Sequence, residues 1–303
     1  MESVIINKLC EENNAKSVLE WGIFMKKTEV RISENQRELY GIMITPEGAE
    51  KYPVVIFSHG YNGSGRDFEY MGEYLADQGI ASFCYDFCGG SVNSRSSLAT
   101  TDMTIFTEKE DLHSVIQFMK EHSTNAVSQS NSEKISLSEN CAGCSQEEQD
   151  KKYNIDAENI FLFGCSQGGL VSTLVAEEAK EDIRGMLLLF PAMCIADDWN
   201  ARFPEEKDIP EIQELWGMNL GKKFFMTLRG FDVYKNIGSY KRSVQVMYGD
   251  KDSIASSDYM EKLKMVYSDI KLEVFQNEGH GFSEEGNRRA TEITLDFIKR
   301  NRV

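Results

Sequence analysis

The sequence predicts an α/β protein, a mostly parallel eight-stranded sheet with helices on both faces and a small insertion capping it. Two observations carry this. From residue 52 to residue 300, short apolar runs alternate with stretches of helical periodicity, the pattern of parallel strands joined by crossover helices. Several of those runs, Tyr52-Pro53-Val54-Val55-Ile56-Phe57 above all, show no polar alternation and suit a sheet covered on both faces. A chain of 303 residues, 41% hydrophobic and 27% charged, can bury a sizeable core as one domain, 1–303.

Taken in order, residues 1–20 are polar and weakly patterned and receive no assignment. Lys26–Ile32 and Glu38–Thr45 read as two antiparallel strands, and Tyr52–Phe57 as the first buried strand. Asp67–Gln78 follows as a helix, with Arg66 and Asp67 at its N-terminus, where an acidic residue suits the positive end of the helix dipole. Ile80–Tyr85 is the next buried strand. Glu108–Glu121 is an amphipathic helix whose Leu112, Val115, Ile116 and Met119 share one face. Further strands are expected at Ile160–Phe163, Gly185–Phe190, Val244–Tyr248 and Leu272–Phe275, and helices at Leu170–Lys180, Ser257–Val266 and Glu284–Arg300.

Two segments interrupt the rhythm. Residues 123–150, rich in Ser, Asn, Glu and Gln, are too polar to pack and read as a flexible surface insertion. Residues 194–241 carry Trp199, Phe203, Trp216, Phe224, Phe225 and Tyr234 between two core strands, which suggests a cap folded over the sheet.

A formal net charge of −16 argues against nucleic acid and anionic membrane as partners. The N-terminus lacks a basic segment followed by a long apolar one, and no run approaches the roughly 20 apolar residues of a membrane span. Seven cysteines without an evident framework fit free thiols and a cytoplasmic protein. Cys141 and Cys144 form a lone C-x-x-C pair, whereas a structural zinc site needs four ligands, so no metal is expected.

The chemistry is concentrated at Gly164-Cys165-Ser166-Gln167-Gly168. It follows the apolar run Ile160–Phe163 and precedes a helical stretch, which makes a strand, a sharp turn and a helix with a serine at the apex. Cys165 is a small residue that such a turn tolerates. A serine hydroxyl needs a base to take its proton, and the base needs an acid to orient and charge-stabilise it. In this arrangement both partners lie later in the chain, acid before base. Of four histidines only His280 follows the serine, in Gly279-His280-Gly281-Phe282. The acid belongs after the preceding strand, in Gly249-Asp250-Lys251-Asp252, with Asp252 preferred and Asp250 the alternative. The oxyanion formed on attack needs backbone N–H donors. Gln167, next to the serine, is one, and Tyr61 in Ser58-His59-Gly60-Tyr61-Asn62-Gly63 the other, Gly60 allowing the turn that points the Tyr61 amide inward. His59 reads as a prop for that loop through its ring hydrogen bonds.

Together, His59-Gly60-Tyr61, Gly164-Cys165-Ser166-Gln167-Gly168-Gly169, Gly249-Asp250-Lys251-Asp252, Gly279-His280-Gly281-Phe282 and Tyr85-Asp86-Phe87-Cys88-Gly89-Gly90-Ser91 resemble the α/β-hydrolase superfamily. The likeness spans roughly residues 25–300 and points to its feruloyl/cinnamoyl esterase and dienelactone-hydrolase-like branch. The resemblance implies hydrolysis of a small carboxylic ester through an acyl-enzyme, with no metal or organic cofactor. It also implies a cap that helps bind the acyl group. The matching stretch holds Trp199 and Trp216, and Trp216 is the better placed by its distance before Asp252. The insertion at 123–150 departs from the family pattern. The same triad also serves a thioesterase or a prolyl-oligopeptidase-type peptidase, although the segment ahead of the first strands is short for the latter's propeller. A binding protein that kept the fold but lost turnover is the reading from a different class. Three filled triad positions weigh against it.

Overall fold

The computed structural model describes residues 25–34, 36–48, 51–123 and 153–303. The expectations for residues 1–20, for the polar stretch 124–150 and for Cys141 and Cys144 lie outside the described residues.

Among the described residues the strands are, in chain order, β1 (Met25–Glu34), β2 (Arg37–Pro46), β3 (Tyr52–Ser58), β4 (Ala81–Asp86), β5 (Ile155–Cys165), β6 (Ile183–Leu189), β7 (Ile212–Leu215), β8 (Met218–Gly221), β9 (Val244–Gly249) and β10 (Ile270–Phe275). The helices are α1 (Glu69–Ala76), α2 (Ile105–Glu121), α3 (Gln167–Glu178), α4 (Ile195–Arg202), α5 (Lys222–Leu228), α6 (Ser257–Val266) and α7 (Glu284–Asn301). None of these helices is long and apolar enough to cross a membrane.

Eight strands form one sheet in the order β1-β2-β4-β3-β5-β6-β9-β10. β1 pairs antiparallel with β2, and β2 antiparallel with β4; every other pairing is parallel. The residue pattern explains the positions. Every residue of β3, β4 and β9 is buried, as expected of strands covered on both faces. β1 and β10 alternate with exposed residues and take the edges, β1 turning Val30 and Ile32 inward. Val54, Ile56, Phe161, Leu162 and Leu187 are fully buried in the centre of the sheet, each side chain contributing about 1.5–3 kcal/mol of burial.

Two helices differ from the periodic reading. The helix expected at 67–78 begins as a 3-10 turn at Gly65–Phe68, and α1 starts only at Glu69. The buried Asp86 carboxylate accepts the Gly65 N–H at 2.9 Å and pins this turn against β4. At the other, α2 extends back to Ile105 because Thr104 caps it, its hydroxyl accepting the Thr107 N–H at 3.0 Å.

Between β6 and β9 the aromatic-rich stretch builds a small core of its own. Trp199 stacks on Phe203 with centroids 5.8 Å apart and meets Phe225 at 4.7 Å. β7 and β8 form a hairpin whose two turn residues are Trp216 (φ 46°) and Gly217 (φ 82°). Positive φ at both positions is the type I′ geometry that matches strand twist.

Candidate active site

β3 and β5 are neighbours, but the chain continues from β3 outward to β4 and from β5 the opposite way to β6. Their C-terminal ends therefore diverge and leave a crevice where the winding reverses. Both key loops leave from it: Ser58–Gly63 after β3 and the Cys165–Gly168 turn after β5. Ser166 sits at the apex of the second with φ 50° and ψ −117°, a conformation that costs a non-glycine residue about 1–3 kcal/mol. Its N–H donates to Leu189 O and its carbonyl accepts from Ala192 N, both at 2.9 Å, so the turn is held from the β6 side. A Cβ on Gly168 would stand 2.4 Å from the carbonyl oxygens of both Ser58 and His59, so only glycine lets the helix start approach β3 so closely.

The three side chains singled out by order along the chain meet at this rim. The Ser166 hydroxyl lies 2.8 Å from His280 Nε2, and His280 Nδ1 lies 2.8 Å from Asp252 Oδ2. The Asp252 side chain is fully buried, and its Oδ1 accepts the N–H groups of Ile254 and Ala255 at 2.8 Å each. Burial pushes this carboxyl up, but the hydrogen bonds from His280, Ala255 and Ile254 and the pull of the imidazole more than reverse it, leaving it below the usual carboxylate range. An ionised carboxylate only accepts, so Nδ1 carries the hydrogen and the Nε2 lone pair faces the serine. Asp250 is occupied elsewhere, its Oδ1 accepting the Asn277 N–H at 2.6 Å. The imidazole is seated by aromatic rings: Phe190 packs on it at 4.8 Å, and Phe282 follows on Phe190 at 5.1 Å.

Opposite the imidazole, the β3 loop is held by His59. The ring is buried, its Nε2 accepting the Phe87 N–H at 3.0 Å while Nδ1 donates to Gly60 O at 2.7 Å. Burial lowers its pKa, which keeps the neutral tautomer that these two bonds require. A Cβ on Gly60 would come within 3.1 Å of Ser166 Cβ, so the absence of a side chain brings the Tyr61 amide beside the serine. Among the described residues the backbone N–H groups of Tyr61 and Gln167 have no hydrogen-bond acceptor. Cys165, next to the serine, is raised by burial first and by Asp67 second, so it stays a neutral thiol.

A cavity of about 290 Å³ opens onto Ser166 and His280, walled by Tyr61, Phe190, Trp216 and Ile254. Trp216 is 65% exposed and stands edge-on to Tyr61 with centroids 6.0 Å apart. The β7–β8 hairpin is tied to the β3 loop. The Tyr61 hydroxyl donates to Leu215 O at 3.0 Å, with Met218 O at 3.3 Å, and Asn62 Nδ2 donates to Trp216 O at 3.2 Å. Trp199, by contrast, packs in the aromatic cluster and does not line this cavity. Sequence reading missed these ties and also missed Glu108. Its buried carboxyl receives the Gln167 side-chain amide, both oxygens lying 2.9 Å from Nε2. The available signal was its position one turn before Leu112, on the apolar face of α2. Among the described residues no group of three or more His, Cys, Asp or Glu side chains is arranged to hold a metal ion.

A family model described as alpha/beta hydrolase fold matches residues 108–284. A relative from Bacillus subtilis (strain 168), the AB hydrolase superfamily protein YisY, is 30% identical over 48% of this chain and 68% of its own length. Among solved structures, Est1E from Butyrivibrio proteoclasticus with ferulic acid bound superposes with a TM-score of 0.72 at 19% identity, covering 90% of this chain and 98% of Est1E. Dienelactone hydrolase from Anabaena variabilis ATCC 29413 superposes with a TM-score of 0.59 at 14% identity, over 92% of this chain and 99% of its own. At these identities the two structures speak to the fold alone.

Proposed function

Because the chain belongs to the alpha/beta hydrolase fold family, we propose that it is a serine hydrolase that cleaves small aryl or acyl carboxylic esters through an acyl-enzyme. The observation that carries this is the continuous hydrogen-bonded chain Ser166–His280–Asp252, opening to a cavity beside two backbone amides without acceptors. In this reading the Ser166 oxygen attacks the ester carbonyl carbon while its proton passes to His280 Nε2. The imidazolium is stabilised by Asp252 across Nδ1, and the oxyanion is bound by the amides of Tyr61 and Gln167. Collapse breaks the bond to the alcohol oxygen, which takes the proton from Nε2 and departs. Water then repeats the sequence on the acyl-enzyme, yields the acid and restores the hydroxyl. None of these steps requires a cofactor.

The segment 194–241 acts in this reading as a cap, with Trp216 as the aromatic wall for the acyl group. The ferulic acid found with Est1E makes hydroxycinnamoyl esters the first substrates to assay beside acetyl esters. Ser166→Ala tests the assignment: turnover of a p-nitrophenyl ester should fall to background, a loss of up to about a million-fold. Near-wild-type activity in the purified variant would refute it. Thioester and peptide-anilide substrates assayed in parallel distinguish the thioesterase and peptidase alternatives. Failure of a fluorophosphonate probe to label Ser166 would favour a protein that binds without turnover.

A further inference from the structure

Glu108 lies in the first turn of α2 with 1% of its surface exposed. Burying a carboxyl is costly unless it is hydrogen-bonded, so its partner carries information. That partner is the Gln167 side chain, whose Nε2 donates toward both carboxyl oxygens at 2.9 Å. Gln167 is itself 3% exposed, and its amide group points away from the substrate cavity into α2. Asp111, one turn further along α2, is engaged separately, accepting the Cys88 N–H at 2.8 Å and pairing with Arg37 at 3.1 Å. Glu108 also lies close to the other side of the site. A Cβ built on Gly90 would lie 3.2 Å from Glu108 Oε1 and 3.1 Å from His59 Cε1. The Gly90 carbonyl in turn accepts the Asn62 N–H at 3.0 Å, so the carboxyl sits between Gln167 and the loop that carries Tyr61.

We propose that Glu108 is a positioning residue for the ester hydrolysis, its carboxyl anchoring the Gln167 side chain and thereby aiming the Gln167 backbone N–H at the oxyanion. The inference rests on the serine-esterase reading. Its physical basis is that Gln167 is the first residue of α3, directly after the strained Ser166. The Ser166 carbonyl, in the same peptide plane as the Gln167 N–H, accepts from Gly169 and Ala192 at 2.9 Å each and holds that plane from the Ser166 side. The buried Gln167 side chain holds it from the other side, so losing the Glu108 anchor leaves the N–H aimed from one flank only. The protonation state is compatible. Burial first, and Asp111 in addition, push the Glu108 carboxyl well above the usual carboxylate range against the pull of the Gln167 hydrogen bond. A neutral acid sets no negative charge beside a developing oxyanion.

The test compares Glu108→Ala, which removes the anchor, with Glu108→Gln, whose side-chain carbonyl still accepts from Gln167. Each is assayed for kcat and KM on p-nitrophenyl acetate and for inhibition by an aryl trifluoromethyl ketone, a tetrahedral mimic. Glu108→Ala should lower kcat by about 10- to 100-fold, weaken the ketone by a similar factor and leave KM within about twofold, while Glu108→Gln restores most of the loss. If Glu108→Ala does not fold, Gln167→Met, which keeps the backbone N–H and loses the amide, carries the comparison with the same expectation. Wild-type kcat and ketone affinity in whichever variant is folded would overturn the proposal, as would a loss confined to KM. Ser166→Ala is measured alongside. If it retains turnover, the esterase reading has failed; if it is inactive while Glu108→Ala is as active as wild type, only the role of Glu108 has.

Discussion

Asp252→Asn probes the hydrogen-bonded chain at its buried end, and the outcome follows from the donors around it. Oδ1 of Asp252 receives two backbone N–H groups, Ile254 and Ala255, at 2.8 Å each, and Oδ2 receives His280 Nδ1–H at 2.8 Å. An asparagine in the same rotamer must give its carbonyl oxygen to the two backbone donors. The opposite orientation would press its NH2 against both. The NH2 therefore faces His280 Nδ1. Because it only donates, Nδ1 becomes an acceptor and the ring hydrogen moves to Nε2, the atom 2.8 Å from the Ser166 hydroxyl. That tautomer cannot take the serine proton. Restoring the competent tautomer by flipping the amide leaves two backbone donors unsatisfied, about 1–3 kcal/mol each. The competent fraction is then about 10⁻² to 10⁻⁴, and kcat should fall by about 10²- to 10⁴-fold. The assay is kcat for p-nitrophenyl acetate at neutral pH, with a thermal melt to establish that the variant is folded. A folded variant within tenfold of wild type would refute the reasoning, and so would a larger loss from Asp250→Asn.

Asp250→Asn, which disturbs only the hydrogen bond from Asn277, should reduce kcat by less than about tenfold, one ordinary hydrogen bond being worth about 1 kcal/mol. Tyr61→Phe removes the hydroxyl's ties from the β3 loop to Leu215 and Met218, leaving that from Asn62 to Trp216, and should raise KM for a hydroxycinnamoyl ester by about fivefold, more than for an acetyl ester, on the same scale; equal effects on the two would contradict a role for the hairpin in holding the acyl group. Burial raises the Asp111 carboxyl from 3.8 to about 7, against the opposing charge of Arg37 and with Glu110 adding to the rise. The folded state thus binds the extra proton between those values, and this group's stabilising contribution is lost as pH rises from about 4 to about 7. Asp111→Asn should flatten that decline in urea unfolding at pH 5 and pH 8, and an unchanged pH dependence would count against it.

Much of this architecture is legible because local and global preferences agree. Unbroken apolar runs such as Tyr52–Phe57 suit strands covered on both faces, and β3 is buried throughout. The order serine, acid, histidine along the chain points to Ser166, Asp252 and His280, and the structure joins them in series, His280 bonding Ser166 through Nε2 and Asp252 through Nδ1. Their separations along the chain, 114 residues from Ser166 to His280 and 28 from Asp252 to His280, carry no distance information, but each follows a parallel strand, and parallel strands deliver their C-terminal loops to one rim. The preference for Asp252 over Asp250 was a matter of two positions in one turn, and only the direction of the turn decides which carboxyl faces the ring. What stayed illegible depends on tertiary pairing. Nothing local couples Glu108 to Gln167, 59 residues apart. The β7–β8 hairpin has strands of only four residues each, too short for a periodic signal, and a tryptophan where a positive φ is required.

That tryptophan and Ser166 share a property that composition does not reveal. Both are non-glycine residues held at positive φ, and both line the cavity. Phe190, which packs against the imidazole, is a third, at φ 34°. Each such residue costs about 1–3 kcal/mol unless its surroundings over-determine it. At Ser166 they do, through Leu189 O and Ala192 N on one flank and the close approach of Gly168 to β3 on the other. At Trp216 the turn is held within the hairpin by Glu214 Oε1, which accepts the Gly217 N–H at 2.6 Å, and from outside by Asn62 at Trp216 O and Tyr61 at Leu215 O, both in the loop that is proposed to bind the oxyanion. Strain at the hairpin is thus borne in part by residues of the loop beside the serine. A substitution that relaxed Trp216 would therefore act on the β3 loop as well as on the cavity wall, and under the proposed esterase reading it would change acyl selectivity and turnover together.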